Sequence, residues 1–136
     1  MKKLLAIIMV LALSAGLNSC KKYDDGPLIS FRSKKARVIN DWVIDKVMSK
    51  GVDVTSNYPE DYMLSIKEDG SFTLTSNGLS FDGKWKFSDD KTQLIITPDV
   101  TGIDEIYLIK RLKNKEFTYD QTVNKETSTF YMVQKP

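Results

Sequence analysis

"LSFDGKWKF", residues 79 to 87, alternates without a break. Leu79, Phe81, Gly83, Trp85 and Phe87 fall on one side of an extended chain, and Ser80, Asp82, Lys84 and Lys86 on the other. Successive side chains of a β-strand point to opposite faces. A period of two with the apolar residues in one set therefore predicts a strand with one face on a core and the other in water. Gly83 belongs to the apolar set and leaves space there for a bend, a bulge or the neighbouring Trp85.

The same pattern extends in both directions. Upstream, "YMLSIKEDGSFTLTSNG" (62–78) reads as two strands, one carrying Tyr62, Leu64 and Ile66, the next Phe72 and Leu74. Asp69-Gly70 and Asn77-Gly78 are the tight-turn pairs that end them. Further upstream, "WVIDKVM" (42–48) is a strand rich in β-formers, followed by a longer loop, "GVDVTSNYPED", in which Pro59 disfavours a central strand. Downstream, Ser88-Asp89-Asp90 turns the chain into "KTQLIITP", closed by Pro98; "DEIYLIKRL", "KEFTYDQ" and "ETSTFYMVQ" follow. Ahead of all these, Ile29 to Asn40 is read as a short helix with Ser30 as N-cap and Phe31, Val38 and Ile39 as its apolar surface.

Eight strands on short connections leave no room for the long crossovers that parallel pairing needs, so the sheet is expected to be antiparallel. An eight-stranded meander abolishes its edges by closing on itself. The expected fold is all-β, an up-and-down antiparallel barrel of about eight strands over residues 31–136. A β-sandwich is the competing architecture.

The chain opens differently. Lys2 and Lys3 precede an apolar run from Leu4 to Leu13, and small and polar residues follow. That is the layout of a secretory signal peptide, here residues 1–19. A membrane-spanning helix needs about 20 apolar residues, and this run falls short. Leu17-Asn18-Ser19-Cys20 contains the chain's one cysteine and resembles the lipobox of bacterial lipoproteins, with an apolar residue three before the cysteine and a small residue just before it. The resemblance implies diacylglycerol on Cys20, cleavage before it and acylation of the new N-terminus. Acyl chains contribute about 0.8 kcal/mol per buried methylene, and more than one chain gives stable attachment without a spanning helix. Residues 20–30 then read as a solvated tether to the membrane. Lys21 stands where enteric lipoproteins kept at the inner membrane carry aspartate, which implies the outer membrane of the cell envelope. Lysine followed by acidic residues also resembles the surface-export signal of some Gram-negative anaerobes.

Removal of residues 1–19 takes away Lys2 and Lys3 and no acid, so 20 basic side chains fall to 18 against 18 acidic ones. Nucleic-acid binding draws most of its affinity from a basic surface, and none is visible. Lys34-Lys35-Ala36-Arg37 reads as a solvated patch beside anionic headgroups. The chain has no histidine, and its thiol is assigned to lipidation, so the commonest nucleophile–base pairs are missing. No phosphate loop, metal-ligand spacing or cofactor motif is present. The carboxylate pairs Glu60-Asp61, Glu68-Asp69, Asp89-Asp90 and Asp104-Glu105 all fall at predicted turns or strand ends, where solvated acids are the default. The expectation is a non-enzymatic protein with no cofactor and no metal.

Residues 40–134 resemble the lipocalin-like domains of small Gram-negative lipoproteins. The resemblance rests on Asn40-Asp41-Trp42, on "IKEDGSFTL" and on "FDGKWKFSDDKTQLII". Lipocalins proper carry G-x-W on the first strand, whereas the literal Gly83-Lys84-Trp85 of this chain lies on the fourth. The resemblance implies a binding or interaction domain, with a small apolar ligand in the barrel or an envelope protein or glycan on its loops. Residues expected to line the interior include Trp42, Ile44, Leu64, Ile66, Phe72, Leu74, Phe81, Trp85, Phe87, Leu94, Ile96, Leu108, Phe117, Tyr119 and Phe130. A barrel of eight strands is just wide enough for side chains to fill, and many of these are large aromatics, which favours a packed interior. The alternative function is then an accessory or structural lipoprotein with a solid core and no small-molecule ligand.

Overall fold

A computed structural model describes residues 32–136. The expected signal peptide, Cys20 and the expected tether lie outside the described residues. Helix α1 (Lys34–Val38) comes first, then β1 (Asn40–Ser49), β2 (Val52–Asp53), a 3-10 turn (Thr55–Asn57) and β3 (Met63–Ile66). The remaining strands are β4 (Ser71–Ser76), β5 (Leu79–Phe87), β6 (Gln93–Pro98), β7 (Glu105–Leu112), β8 (Glu116–Val123) and β9 (Glu126–Gln134).

The strands pair antiparallel in chain order, and β1 pairs with β9, so eight of them close into a barrel with β2 as an additional short strand. Closure gives each of the eight wall strands a hydrogen-bonded neighbour on both sides. Two irregularities bend it: the register shifts between Ile44 and Lys46 where β1 meets β9, and between Ile109 and Arg111 where β7 meets β8. Pairing of β1 with β3 stops at Val43↔Met63, yet β1 runs on to Ser49. The long loop supplies the missing partners: β2 pairs with Met48 and Ser49, the Val54 amide donates to the Val47 carbonyl (2.9 Å), and the Val47 amide donates to Thr55 Oγ1 (2.9 Å).

Up-and-down order gives the barrel two poles. The closed pole holds α1, the three turns after β3, β5 and β7, and the end of β9. Ser33 caps α1 by accepting from the Ala36 amide (3.1 Å). Three bonds pin this pole: Trp42 Nε1 donates to the Val38 carbonyl (2.8 Å), Arg37 Nη1 to the Leu112 carbonyl (3.0 Å) and Trp85 Nε1 to the Lys67 carbonyl (2.7 Å). Arg37 is buried, which corrects its reading as part of a solvated patch: α1 lays it against the end of β7. The open pole holds the β1–β3 loop, the Asn77-Gly78 turn, the β6–β7 connection and the Asn124-Lys125 turn.

Aromatic rings fill the interior. Tyr119 stacks against Tyr107 with centroids 4.2 Å apart and against Phe130 at 5.0 Å, in both cases nearly parallel. Phe117 packs on Tyr119 at 5.0 Å and on Trp42 at 5.6 Å, carrying the chain of rings to the closed pole. Each such pair contributes about 0.5–1.5 kcal/mol beyond its area burial.

Candidate functional site

Of the residues expected to line the interior, Trp42, Leu64, Ile66, Phe72, Trp85, Leu94, Ile96, Phe117, Tyr119 and Phe130 are buried in one core. Ile44, Leu74 and Phe87 are partly buried against it. Phe81 and Leu108 are corrections, since each is 39 % exposed. Leu108 lies on the outward-facing set of β7, between buried Tyr107 and Ile109. Phe81 has the inward parity, but β5 pairs with β6 only from Gly83↔Pro98 onward, so Leu79 and Phe81 stand beyond the last rung of β6. The space at Gly83 is taken by the Phe72 ring across the β4–β5 pair and by the Thr97 carbonyl, rather than by Trp85.

The overhang belongs to a wider feature. Val52, Leu79, Val100, Ile103 and Val123 are 57–75 % exposed, and every one lies at the open pole. At the same pole the wall has a gap. β7 is paired with β6 up to Glu105 and β8 with β9 up to Val123, but β7 and β8 pair with each other only from Leu108↔Asp120. The two strands splay, and a cleft of about 530 Å³ opens between them. Ile106 and Leu108 form its outer lip, Glu105 and Gln121 its inner side, and Val123 its end.

Glu105 departs from the expectation of a solvated acid. It opposes Ile96 on β6, on the inward parity shared with Tyr107 and Ile109. Burial pushes its carboxyl above the usual range, and among the described residues it makes no ion pair or hydrogen bond. The nearby phenols share the strain of burial. Tyr62 is pushed up to about 12, chiefly by desolvation, and feels both Tyr58 and Glu105. Burial drives Tyr107 and Tyr119 well above 10. The three phenols perturb one another, and the interaction of the Tyr119 hydroxyl with those of Tyr62 and Tyr107 raises Tyr119 further while lowering its two partners.

Three of the other acids at predicted turns hold turn backbone, Asp69 and Asp90 in their own turns and Asp61 in the Asn77-Gly78 turn. Asp61 accepts from the amides of Asn77 (2.8 Å) and Gly78 (2.6 Å), Asp69 from the Ser71 amide and hydroxyl, and Asp90 from the Thr92 amide and hydroxyl. Among the described residues, no group of three or more His, Cys, Asp or Glu is placed to hold a metal ion, and no helix is long and apolar enough to cross a membrane.

Neither the protein-family models nor the curated proteins contain a match to this chain. The sequence pattern missed the Glu105–tyrosine group, although its signal was present in the i, i+2 spacing of Glu105, Tyr107 and Ile109, which puts an acid on a core-facing set.

Proposed function

We propose that the protein is a non-enzymatic, lipid-anchored lipoprotein of the cell envelope, at the outer membrane, whose lipocalin-like barrel is a binding or interaction module that works through its open pole. The observation that carries this reading is the segregation of exposed apolar side chains. Val52, Leu79, Val100, Ile103 and Val123 gather at one pole, and the chain enters the barrel through α1 at the other. Apolar groups concentrated at one place on a surface mark contact sites. A chain tethered at the closed pole presents that place outward. The lipobox resemblance at Leu17-Asn18-Ser19-Cys20 supports the anchor. The ring stack from Trp42 to Tyr107 supports contact at the pole and its cleft rather than deep inside the barrel. The same filled interior favours a second reading, an accessory or structural lipoprotein with no small-molecule ligand.

Photo-crosslinking in intact envelopes separates the two. A benzoylphenylalanine at Val100 is expected to capture a partner, a lipid or a glycan, while one at Lys86, on the outer wall near the closed pole, does not. Equal capture at both sites overturns the polar reading. Cys20→Ser is expected to move the protein from the membrane fraction to the soluble fraction, and retention of this variant refutes the lipid anchor.

A further inference from the structure

We propose that one side of the closed pole is a lipid-contact face. Its basic groups lie on the anionic headgroups of the membrane that carries the anchor, and this contact turns the open pole away from the bilayer. The proposal rests on the lipid-anchored reading above and names the partner of the opposite end of the barrel.

An anchor alone does not orient the barrel. Residues 20–30, fully extended, reach about 35–40 Å, so a barrel on such a tether can meet the bilayer with any of its faces. Charge supplies a preference. Three segments far apart in sequence meet at one side of the closed pole. Arg37 Nη1 of α1 donates to the Leu112 carbonyl (3.0 Å), Asn40 Nδ2 to the Asn114 carbonyl (3.4 Å) and the Gln134 amide to the Lys115 carbonyl (3.1 Å). α1 and the residues just ahead of it bring Arg32, Lys34, Lys35 and Arg37. The β7–β8 turn adds Lys113 and Lys115, and the chain after β9 adds Lys135. No acid interrupts residues 32–39, 113–115 or 135–136. The acids beside them are Glu116, which pairs with Arg111 (3.6 Å) and Lys113 (3.7 Å), and Asp41, which accepts from the Ser65 hydroxyl (2.6 Å). Lys35, Lys115 and Lys135 are exposed, and among the described residues none of the three makes an ion pair.

Elsewhere the sign changes. On the far side of the same pole, the β3–β4 and β5–β6 turns carry Glu68, Asp69, Asp89 and Asp90 against Lys67 and Lys91. At the open pole, the β1–β3 loop has Asp53, Glu60 and Asp61 against Lys50. The β6–β7 connection has Asp99 and Asp104 and no base, while the last turn has Lys125. An anionic bilayer attracts bases close to its surface and repels acids, and the field dies away within about 10 Å. The barrel therefore gains by laying the α1 side down and lifting the open pole.

The test is spin-label relaxation on the mature lipoprotein in vesicles containing a little nickel-chelating lipid. The chain has no histidine to take the nickel, and acylation occupies Cys20 in this reading, so a nitroxide on Asn114→Cys or Val100→Cys marks one exposed site. With about three parts in ten phosphatidylglycerol in phosphatidylcholine, nickel is expected to relax the Asn114 label at least threefold more than the Val100 label. In pure phosphatidylcholine, or in about 0.5 M salt, the difference is expected to vanish. Lys35→Glu, Lys115→Glu and Lys135→Glu together are expected to remove it as well, with flotation on vesicles and circular dichroism unchanged. Equal relaxation at the two sites with phosphatidylglycerol, or a difference that persists in the triple variant, overturns the proposal. An Asn114 label that ignores phosphatidylglycerol but is immobilised by heparin gives the face to an acidic polymer and overturns the lipid occupant. A wild-type chain that floats yet fails these comparisons loses the lipid-contact face and keeps the anchor; one that does not float loses both.

Discussion

A β-carbon added at Gly83 would lie 2.5 Å from Phe72 Cε1 and closer still to the Thr97 carbonyl oxygen. The ring and the carbonyl belong to the two strands that flank β5; the carbonyl cannot retreat without disturbing the β5–β6 ladder, and the ring is buried in the core. Gly83 is needed for lack of volume, not for an unusual backbone angle. Overpacking a core costs about 1–3 kcal/mol, and contact with backbone puts this site at the upper end. Gly83→Ala is therefore expected to lower stability by about 3 kcal/mol, measured by urea unfolding. Phe72→Leu in the same background should recover part of the loss, because it clears the ring from the added methyl. The sequence announced an inward glycine but not its neighbour, since cross-strand register is a property of two segments together.

The turns are the elements in which charge matters. The β4–β5 turn places Asn77 and Gly78 at positive φ, and the single carboxylate of Asp61, from a different loop, accepts from both amides. These two bonds hold the Asp61 carboxyl below its ordinary value, the Gly78 amide contributing most. Asp53 and Asp69 are lowered in the same way by Thr55 and Ser71. A folded-state pKa below the unfolded one gives stability that is present above the unfolded value and lost as the pH falls through the folded one. Asp61→Asn is expected to lower the thermal midpoint at neutral pH and to flatten the decline of stability below pH 4, measured by calorimetry across that range. The turn pairs Asp69-Gly70 and Asn77-Gly78 were legible from sequence because each is a local code. The grip of Asp61 on a turn 16 residues away was not. Strand β5 divides along the same line: the alternation from Leu79 to Phe87 gives the face of every residue, but whether β6 reaches far enough to cover Leu79 and Phe81 depends on where β6 stops.

For the molecule as a whole, closure and burial of phenols are linked. Tyr62, Tyr107 and Tyr119 are held neutral by desolvation, with Tyr62 near 12 and the other two higher in direction. In the unfolded chain a tyrosine ionises near 10. A raised folded pKa gives stability that is fully present below the unfolded value and is lost as the pH rises toward the folded one. The barrel is expected to open cooperatively between about pH 10 and 12, with phenolate absorbance at 295 nm appearing in step with loss of the strand signal in circular dichroism. Phenolate absorbance that rises fully while the strand signal holds would contradict the buried cluster. The all-β closed barrel was readable at this scale because eight alternating segments on short connections have few other ways to hide their apolar sets. The splay of β7 from β8 was not, since "DEIYLIKRL" and "KEFTYDQ" look uniform along their lengths.

The last bonds of β9 have a practical consequence. Gln134 donates to the Lys115 carbonyl and Lys135 to the Asp41 carbonyl, so the chain leaves the barrel beside the place where α1 brings it in. With the proposed lipid anchor ahead of α1, a fluorescent protein joined after Pro136 is expected to sit on the membrane side of the barrel, leaving the proposed docking face at the open pole clear. The same cargo spliced between Asn124 and Lys125 would sit like a stopper on that face. Two fusions of equal mass thus become a switch, one silent and one blocking, with no side chain of the barrel altered.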